Sequence, residues 1–234
     1  MAIGNVTPDS FYAASRLRST DELVSWAERS LEDGADILDI GACSTRPGST
    51  PVDEEGEWAR LEPALGALKK ALPDASLSLD TFRPEIARRA LEQFGPMIIN
   101  DISGGCDAMY ELVRAHDVPY IFTIRGQYEM LRLLDAAPDW NVIIDLGLGF
   151  CGGVEEDYAC LRKMDQLQAY HRDILVGVSR KSMIYKPLGL TPETCLTPCM
   201  AIQLYALEHG ATILRTHDVR ATREIIQLYN KIIS

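Results

Sequence analysis

The sequence has no run of 18 apolar residues, and its opening stretch, MAIGNVTPDSF, has no basic segment followed by an apolar one. Neither a membrane-spanning helix nor a secretory signal is therefore expected, and a cytoplasmic location is. Positive charge is also scarce: 23 Lys and Arg stand against 34 Asp and Glu, a formal net charge of -11. That field repels nucleic acid and anionic membranes, so neither is an expected partner, and an anionic ligand must be caught by a local cluster. The six cysteines, at 43, 106, 151, 160, 195 and 199, contain no C-x-x-C pair and no metal-ligand spacing with the four histidines. They read as reduced thiols rather than as a disulfide framework. No low-complexity linker, charge block or composition break interrupts the 234 residues, of which 47% are hydrophobic. One domain spanning 1-234 with a large core follows.

Present instead are eight short apolar runs, each followed by a helical pattern: MAIGN, DILDIG, LSLD, MIIN, PYIFT, NVIID, ILVGV and ATILR. Alternating strand and helix implies parallel pairing through crossover helices. In DELVSWAERSLEDG (21-34), Leu23, Trp26, Ala27 and Leu31 share a face and Gly34 supplies a stop. RPEIARRALEQFG (83-95) repeats the design, with Pro84 in the first turn and Gly95 after the last. Eight such units in this length predict an α/β protein of the (β/α)8 TIM-barrel class, with a shortened N-terminus and a short fifth helix within QYEMLRLLDAAPD. The alternative is a doubly wound open sheet. It would carry a Gly-rich dinucleotide loop after the first strand, where this chain reads NVTPDS.

In a barrel the loops after the strands build the active face. Those positions read Asn5, Ser44-Thr45-Arg46-Pro47, Asp80-Thr81, Asn100-Asp101, Arg125, Asp145, Ser179-Arg180-Lys181, and Arg215 with His217-Asp218. Asp80, Asn100 and Asp145 end apolar strands, so they are expected near the barrel mouth, where an unpaired carboxylate is costly. Each could singly be a helix cap or a buried carboxylate satisfied by backbone. Together, two carboxylates and a carboxamide suit a flat heterocycle rich in N-H donors. Arg46, Arg180, Lys181, Arg215 and His217 form the opposite set, mostly from the loops after strands 7 and 8. A cationic rim on an acidic protein points to a phosphate or diphosphate.

The stretches GNVTPDSF, DIGACSTRPGS, SLDTFRPEIA, IINDISGG, DLGLGF, GVSRKSMI and RTHDV, in this order over essentially the whole chain, resemble the successive signatures of the dihydropteroate synthase family. The resemblance implies condensation of 7,8-dihydropterin-6-ylmethyl diphosphate with p-aminobenzoate to dihydropteroate and diphosphate. It implies that Asp80, Asn100, Asp145 and Lys181 hold the pterin, with Asp80, Asp145 and Lys181 serving catalysis. Asn5, Arg46, Arg215 and His217 would take the diphosphate, Asn5 also meeting Mg2+. Thr45, Pro47, Phe150, Ser179 and Arg180 would border the aminobenzoate, the region that sulfonamides target.

The chain departs from the family pattern in places. Cys151-Gly152-Gly153 follows GLGF where a small residue and Lys are common, and Thr123-Ile124-Arg125-Gly126 replaces a His-Met-Arg-Gly signature. FYAASR stands in the first loop, and CLTPCMAIQ brings Pro198 into the seventh helix, where a kink or split is expected. The alternatives are a pterin-binding barrel with little turnover and a methyltetrahydrofolate-type methyltransferase. The latter has no use for the STRPG, SRK and RTHDV motifs together. A homodimer through AIQLYALEHG and EIIQLYNKII is compatible with their apolar faces, which ordinary packing on the barrel explains equally well.

Overall fold

The structure is a computed structural model that describes residues 1-6, 19-42, 52-131 and 140-234. Every one of the eight expected runs forms a strand. The chain order is β1 (Ala2–Asn5), α1 (Thr20–Glu32), β2 (Leu38–Gly41), α2 (Glu54–Ala71), β3 (Leu77–Asp80), α3 (Pro84–Phe94), β4 (Ile98–Asp101), α4 (Asp107–Ala115) and β5 (Tyr120–Thr123). There follow β6 (Val142–Asp145), α5 (Val154–Arg162), β7 (Asp173–Val176), α6 (Ser182–Tyr185), α7 (Leu196–Glu208), β8 (Ile213–Leu214) and α8 (Val219–Ile233). The chain divides into two compact units, Met1–Tyr120 and Ile121–Ser234.

In the first unit the strands lie in the order β1-β2-β3-β4, and every pair is parallel. Because side chains alternate along a strand, Leu38, Ile40, Leu77, Leu79 and Ile99 share one face while Asp39, Ser78, Asp80 and Asn100 share the other. The apolar set is buried with Leu23 and Ala27 of α1, Leu61, Leu65 and Leu68 of α2, and Ile86, Ala87, Ala90 and Leu91 of α3. Side chains start the first two helices: Ser19 Oγ accepts the Glu22 N–H at 3.2 Å, and Asp53 Oδ1 accepts the Gly56 N–H at 2.8 Å. Gly34 (φ +97°) and Gly95 (φ +83°) provide the left-handed exits expected from sequence.

In the second unit Asp145 pairs in register with Leu175, and Val176 with Leu214, all in parallel. Of the short fifth helix, the structure describes a 3-10 turn at Tyr128–Leu131; the rest of that expectation lies outside the described residues. Pro198 does not kink α7. It falls in the first turn of that helix, where its missing N–H breaks no internal bond. Helical structure before it is confined to the four residues of α6. No helix among the described residues is long and apolar enough to cross a membrane.

Gly4 of β1 faces α1. A Cβ there would lie 2.7 Å from two ring carbons of Trp26 and 3.0 Å from Ile40 Cδ1. Gly4→Ala therefore overpacks the β1–α1 contact and is expected to lower stability by about 1–3 kcal/mol. Chemical denaturation checks this, and adding Trp26→Leu to Gly4→Ala should recover part of the loss.

Candidate functional site

The polar face of the first unit is organised around the carboxylate of Asp39. Asp39, in the middle of β2, is fully buried. Its register partner Ser78 donates a hydroxyl hydrogen bond to Oδ1 at 2.7 Å, and Asn100 Nδ2 lies 3.3 and 3.2 Å from the two oxygens. A carboxylate only accepts, so the Asn100 atom turned toward it is the amide nitrogen, and the amide oxygen is turned the other way as a fixed acceptor. Asp80, the register partner of Asn100, ends β3 half-buried. Gly41 leaves room beside it: a Cβ at Gly41 would stand 3.1 Å from Asp80 Cβ and 3.4 Å from a carboxylate oxygen. Behind Asp80, the hydroxyl of Thr81 donates to buried Glu57 at 2.7 Å, and Arg83 pairs with the same carboxylate. Asn5 closes β1 in register with Gly41.

The second unit supplies a buried carboxylate and a half-buried lysine that acts on it. Asp145 ends β6; its Oδ1 accepts the Gly147 N–H at 3.1 Å and its Oδ2 the Thr123 hydroxyl at 3.3 Å. Burial pushes its carboxyl above the ordinary range, opposed by Lys181, the Gly147 N–H, Arg215 and Thr123. Lys181 is affected in the opposite sense: burial lowers its ammonium, Asp145 raises it, and Arg215 lowers it further. The Lys181 Nζ donates to the Leu148 carbonyl and stands 5.3 Å from the Phe150 ring centroid, a cation-π contact. Its stem runs past Gly149, where a Cβ would meet it at 3.0 Å. The loop carrying Leu148 and Phe150 is held by buried Asp157, whose carboxylate accepts the Gly149 N–H at 2.7 Å.

The remaining expected residues are placed as follows. Ser179 is buried; its oxygen accepts the His217 N–H at 3.2 Å and its hydroxyl approaches Asp218 at 3.4 Å. Arg180 forms an ion pair with Asp218 at 2.7 Å. Arg215 and His217 are half-buried just after β8, and the Arg215 N–H donates to the Val176 carbonyl at 3.0 Å. Phe150 is exposed. Thr45, Arg46 and Pro47 lie outside the described residues, as does the first loop. Sequence reasoning passed over Asp39, Asp157 and Glu57. A polar residue inside the apolar run DILDIG was the available signal for the first; the two helical carboxylates gave none.

Asp39→Ala would leave the Ser78 hydroxyl and the Asn100 amide facing an apolar gap. A buried donor left unsatisfied costs about 1–3 kcal/mol, so a loss of about that size per group is expected in urea unfolding. A midpoint equal to that of the unsubstituted protein would show that the two donors find other partners.

Comparison with known proteins identifies the family and the fold. The family model described as pterin binding enzyme matches residues 1-131 and 127-217. The chain is 32% identical over 253 residues to the dihydropteroate synthase of Streptococcus pyogenes serotype M3, covering 99% of this chain and 94% of that one. The solved dihydropteroate synthase of Coxiella burnetii, in complex with pteroic acid, superposes with a TM-score of 0.89 at 32% identity over 100% of this chain and 92% of that one. That of Thermus thermophilus, in complex with 4-aminobenzoate, gives 0.84 at 30% identity over 99% and 93%. The fold is thus the (β/α)8 TIM barrel expected from the strand-helix alternation, and the doubly wound alternative falls. Over nearly its whole length, in sequence and in fold, the chain belongs to the pterin-binding enzymes, and within them to the dihydropteroate synthase family.

Proposed function

We propose that this chain is a transferase of folate biosynthesis, a dihydropteroate synthase that joins 7,8-dihydropterin-6-ylmethyl diphosphate to p-aminobenzoate and releases diphosphate. The observation that carries the reading is Asp145, buried at the end of β6 with Lys181 and Arg215 acting on it, in a chain that the pterin binding enzyme model matches over residues 1-131 and 127-217. On this reading the pterin ring donates to Asp80, Asn100 and Asp145, and Lys181 donates to an acceptor on the ring. Asn100 is suited to its part because Asp39 fixes which atom of the amide is presented.

The C–O bond to diphosphate breaks, the aminobenzoate nitrogen bonds to the methylene carbon, and that nitrogen gives up a proton. As the bond breaks, positive charge grows on the pterin methylene, where the carboxylates of Asp80 and Asp145 stabilise it. Arg46, Arg215 and His217 stabilise the departing diphosphate. Thr45, Pro47, Phe150 and Ser179 would border the aminobenzoate. No covalent intermediate is required.

The reading also carries Mg2+. Among the described residues no group of three or more His, Cys, Asp or Glu could hold a metal. A hard cation held by one amide oxygen from Asn5, by the diphosphate and by water fits the donor chemistry Mg2+ accepts. When bound, it would neutralise charge on the leaving group. A cytoplasmic enzyme, acting as one domain over 1-234 and able to pair as a homodimer, completes the proposal.

The deciding measurement is diphosphate release from purified protein given the pterin diphosphate and Mg2+, with and without p-aminobenzoate. Release that requires aminobenzoate is expected. Tight calorimetric binding of the pterin diphosphate with no release would identify instead a pterin-binding barrel without turnover.

A pH dependence follows from Asp145. Its carboxyl titrates above the ordinary value of 3.8, so pterin affinity should fall on acidification beginning above that pH, as the acceptor becomes protonated. Folding behaves oppositely at this group. A raised folded pKa favours the protonated form, so its contribution to stability is present at low pH and lost as pH rises through the folded value. The acid loss of affinity is therefore not unfolding at Asp145, and Asp145→Asn should flatten it. An equally steep profile in that variant would assign the titration to another group.

A further inference from the structure

Arg180, in the turn between β7 and α6, has φ +56°, a left-handed conformation uncommon for a residue with a side chain. Three attachments hold it there. Its backbone N–H donates to Cys199 Sγ at 3.3 Å, its Nη1 donates to the Pro192 carbonyl, and Nε and Nη2 grip the two oxygens of Asp218 at 3.0 and 2.7 Å. The pair is nearly dry, with the side chains 8% and 15% exposed. Such a planar two-point match is specific to guanidinium and carboxylate, and a lysine cannot reproduce it.

Asp218 belongs to the other turn, between β8 and α8. Its carboxylate also receives the Ser179 hydroxyl, and the same Ser179 oxygen accepts the His217 N–H. Ser179 and Arg180 of one turn are thus bonded to His217 and Asp218 of the other. Lys181 is the next residue on one side, and Arg215 lies two residues before His217 on the other. The Arg180 charge is offset by Asp218, while the Lys181 Nζ donates to the Leu148 carbonyl on a different loop.

We propose that Arg180 and Asp218 are positioning residues, a clasp that fastens the β7–α6 turn to the β8–α8 turn and so sets Lys181 and His217 relative to one another, with Arg180 not itself a contact of the second substrate. What Lys181 and His217 bind rests on the synthase reading; the clasp itself does not.

The test uses Arg180→Lys, which keeps the charge and loses the fork, and Asp218→Asn as an independent second variant. Hydrogen exchange of the ligand-free protein is read first. Arg180→Lys should speed exchange in the 215-219 backbone, across the clasp from the substitution, by roughly tenfold, the scale of one charge-assisted bond. Affinity for inorganic pyrophosphate, measured well below the unfolding temperature, should fall by a similar factor in both variants. The double variant should be no worse than either single one, because both remove the same interaction. Unchanged exchange at 215-219 overturns the clasp. So does a rise in KM confined to p-aminobenzoate with pyrophosphate affinity intact, which would make Arg180 a direct substrate contact. If the unsubstituted protein binds no pyrophosphate, the synthase reading fails while the exchange result still decides the clasp.

Discussion

Asp145 is buried at the end of β6, and the half-buried Lys181 acts on it with a charge that offsets part of what burial costs the carboxylate. An isolated carboxylate or ammonium out of water is costly, and burial acts on both groups here, raising one and lowering the other. Much of the second unit is shaped to keep them in place. The Thr123 hydroxyl and the Gly147 N–H satisfy the carboxylate. The Leu148 carbonyl and the Phe150 ring receive the ammonium. Glycine stands at 149 and 177, where a Cβ would lie 3.5 and 3.7 Å from Nζ, so the lysine can lie flat against the backbone. Gly149 also takes φ +89°, so any side chain there would meet backbone strain as well as the lysine.

The first unit solves a related problem with an anchor rather than an ion pair. Asp39 faces no ligand group directly in the proposed scheme, yet it fixes Asn100 by taking its amide hydrogens while Ser78 takes up part of its remaining capacity. Glu57 does the same for the segment after β3 by joining Thr81 to Arg83. In each case a fully buried carboxylate orders a neighbour through donors that must point at it, so the neighbour's rotamer is set before any ligand arrives. Preorganisation of this kind is inherited from strand register, since Asp39 and Ser78 are cross-strand partners.

These anchors mark the limit of what was legible in the sequence. All eight strands could be read, because each is a short, mostly apolar run and most are closed by a polar residue and followed by a helical period. The strand-end rule also put Asp80, Asn100, Asp145 and Arg215 at or beside strand ends, where the structure has them. What the linear pattern lacks is the partner: Asn100 meets a residue 61 positions earlier, and Arg180 one 38 positions later. A run of Ser, Arg and Lys looks like three candidates for a ligand. The left-handed turn at Arg180 sends it to Asp218 while Lys181 lies against Gly149 and Gly177, and no local pattern announces that division. Pro198 misled for a simpler reason. Its meaning depends on where the helix begins, and helix starts are among the least readable boundaries.

The departures from the family pattern are consistent with the same logic. Thr123 stands where the resemblance implies a histidine, and its hydroxyl donates to Asp145. Cys151 stands near a position where the resemblance implies a lysine. Its thiol lies 3.4 Å from the Gly147 carbonyl, and burial and the neighbouring Cys160 push its pKa up, so it remains a protonated donor and is no nucleophile. Together with Asp157 on the Gly149 N–H, this thiol ties the β6–α5 loop to itself. A lysine at such a place would contribute charge toward a ligand; a thiol contributes only internal order. The thiol and Asp157 thus add order to the loop that carries Phe150, and the thiol adds no charge to it.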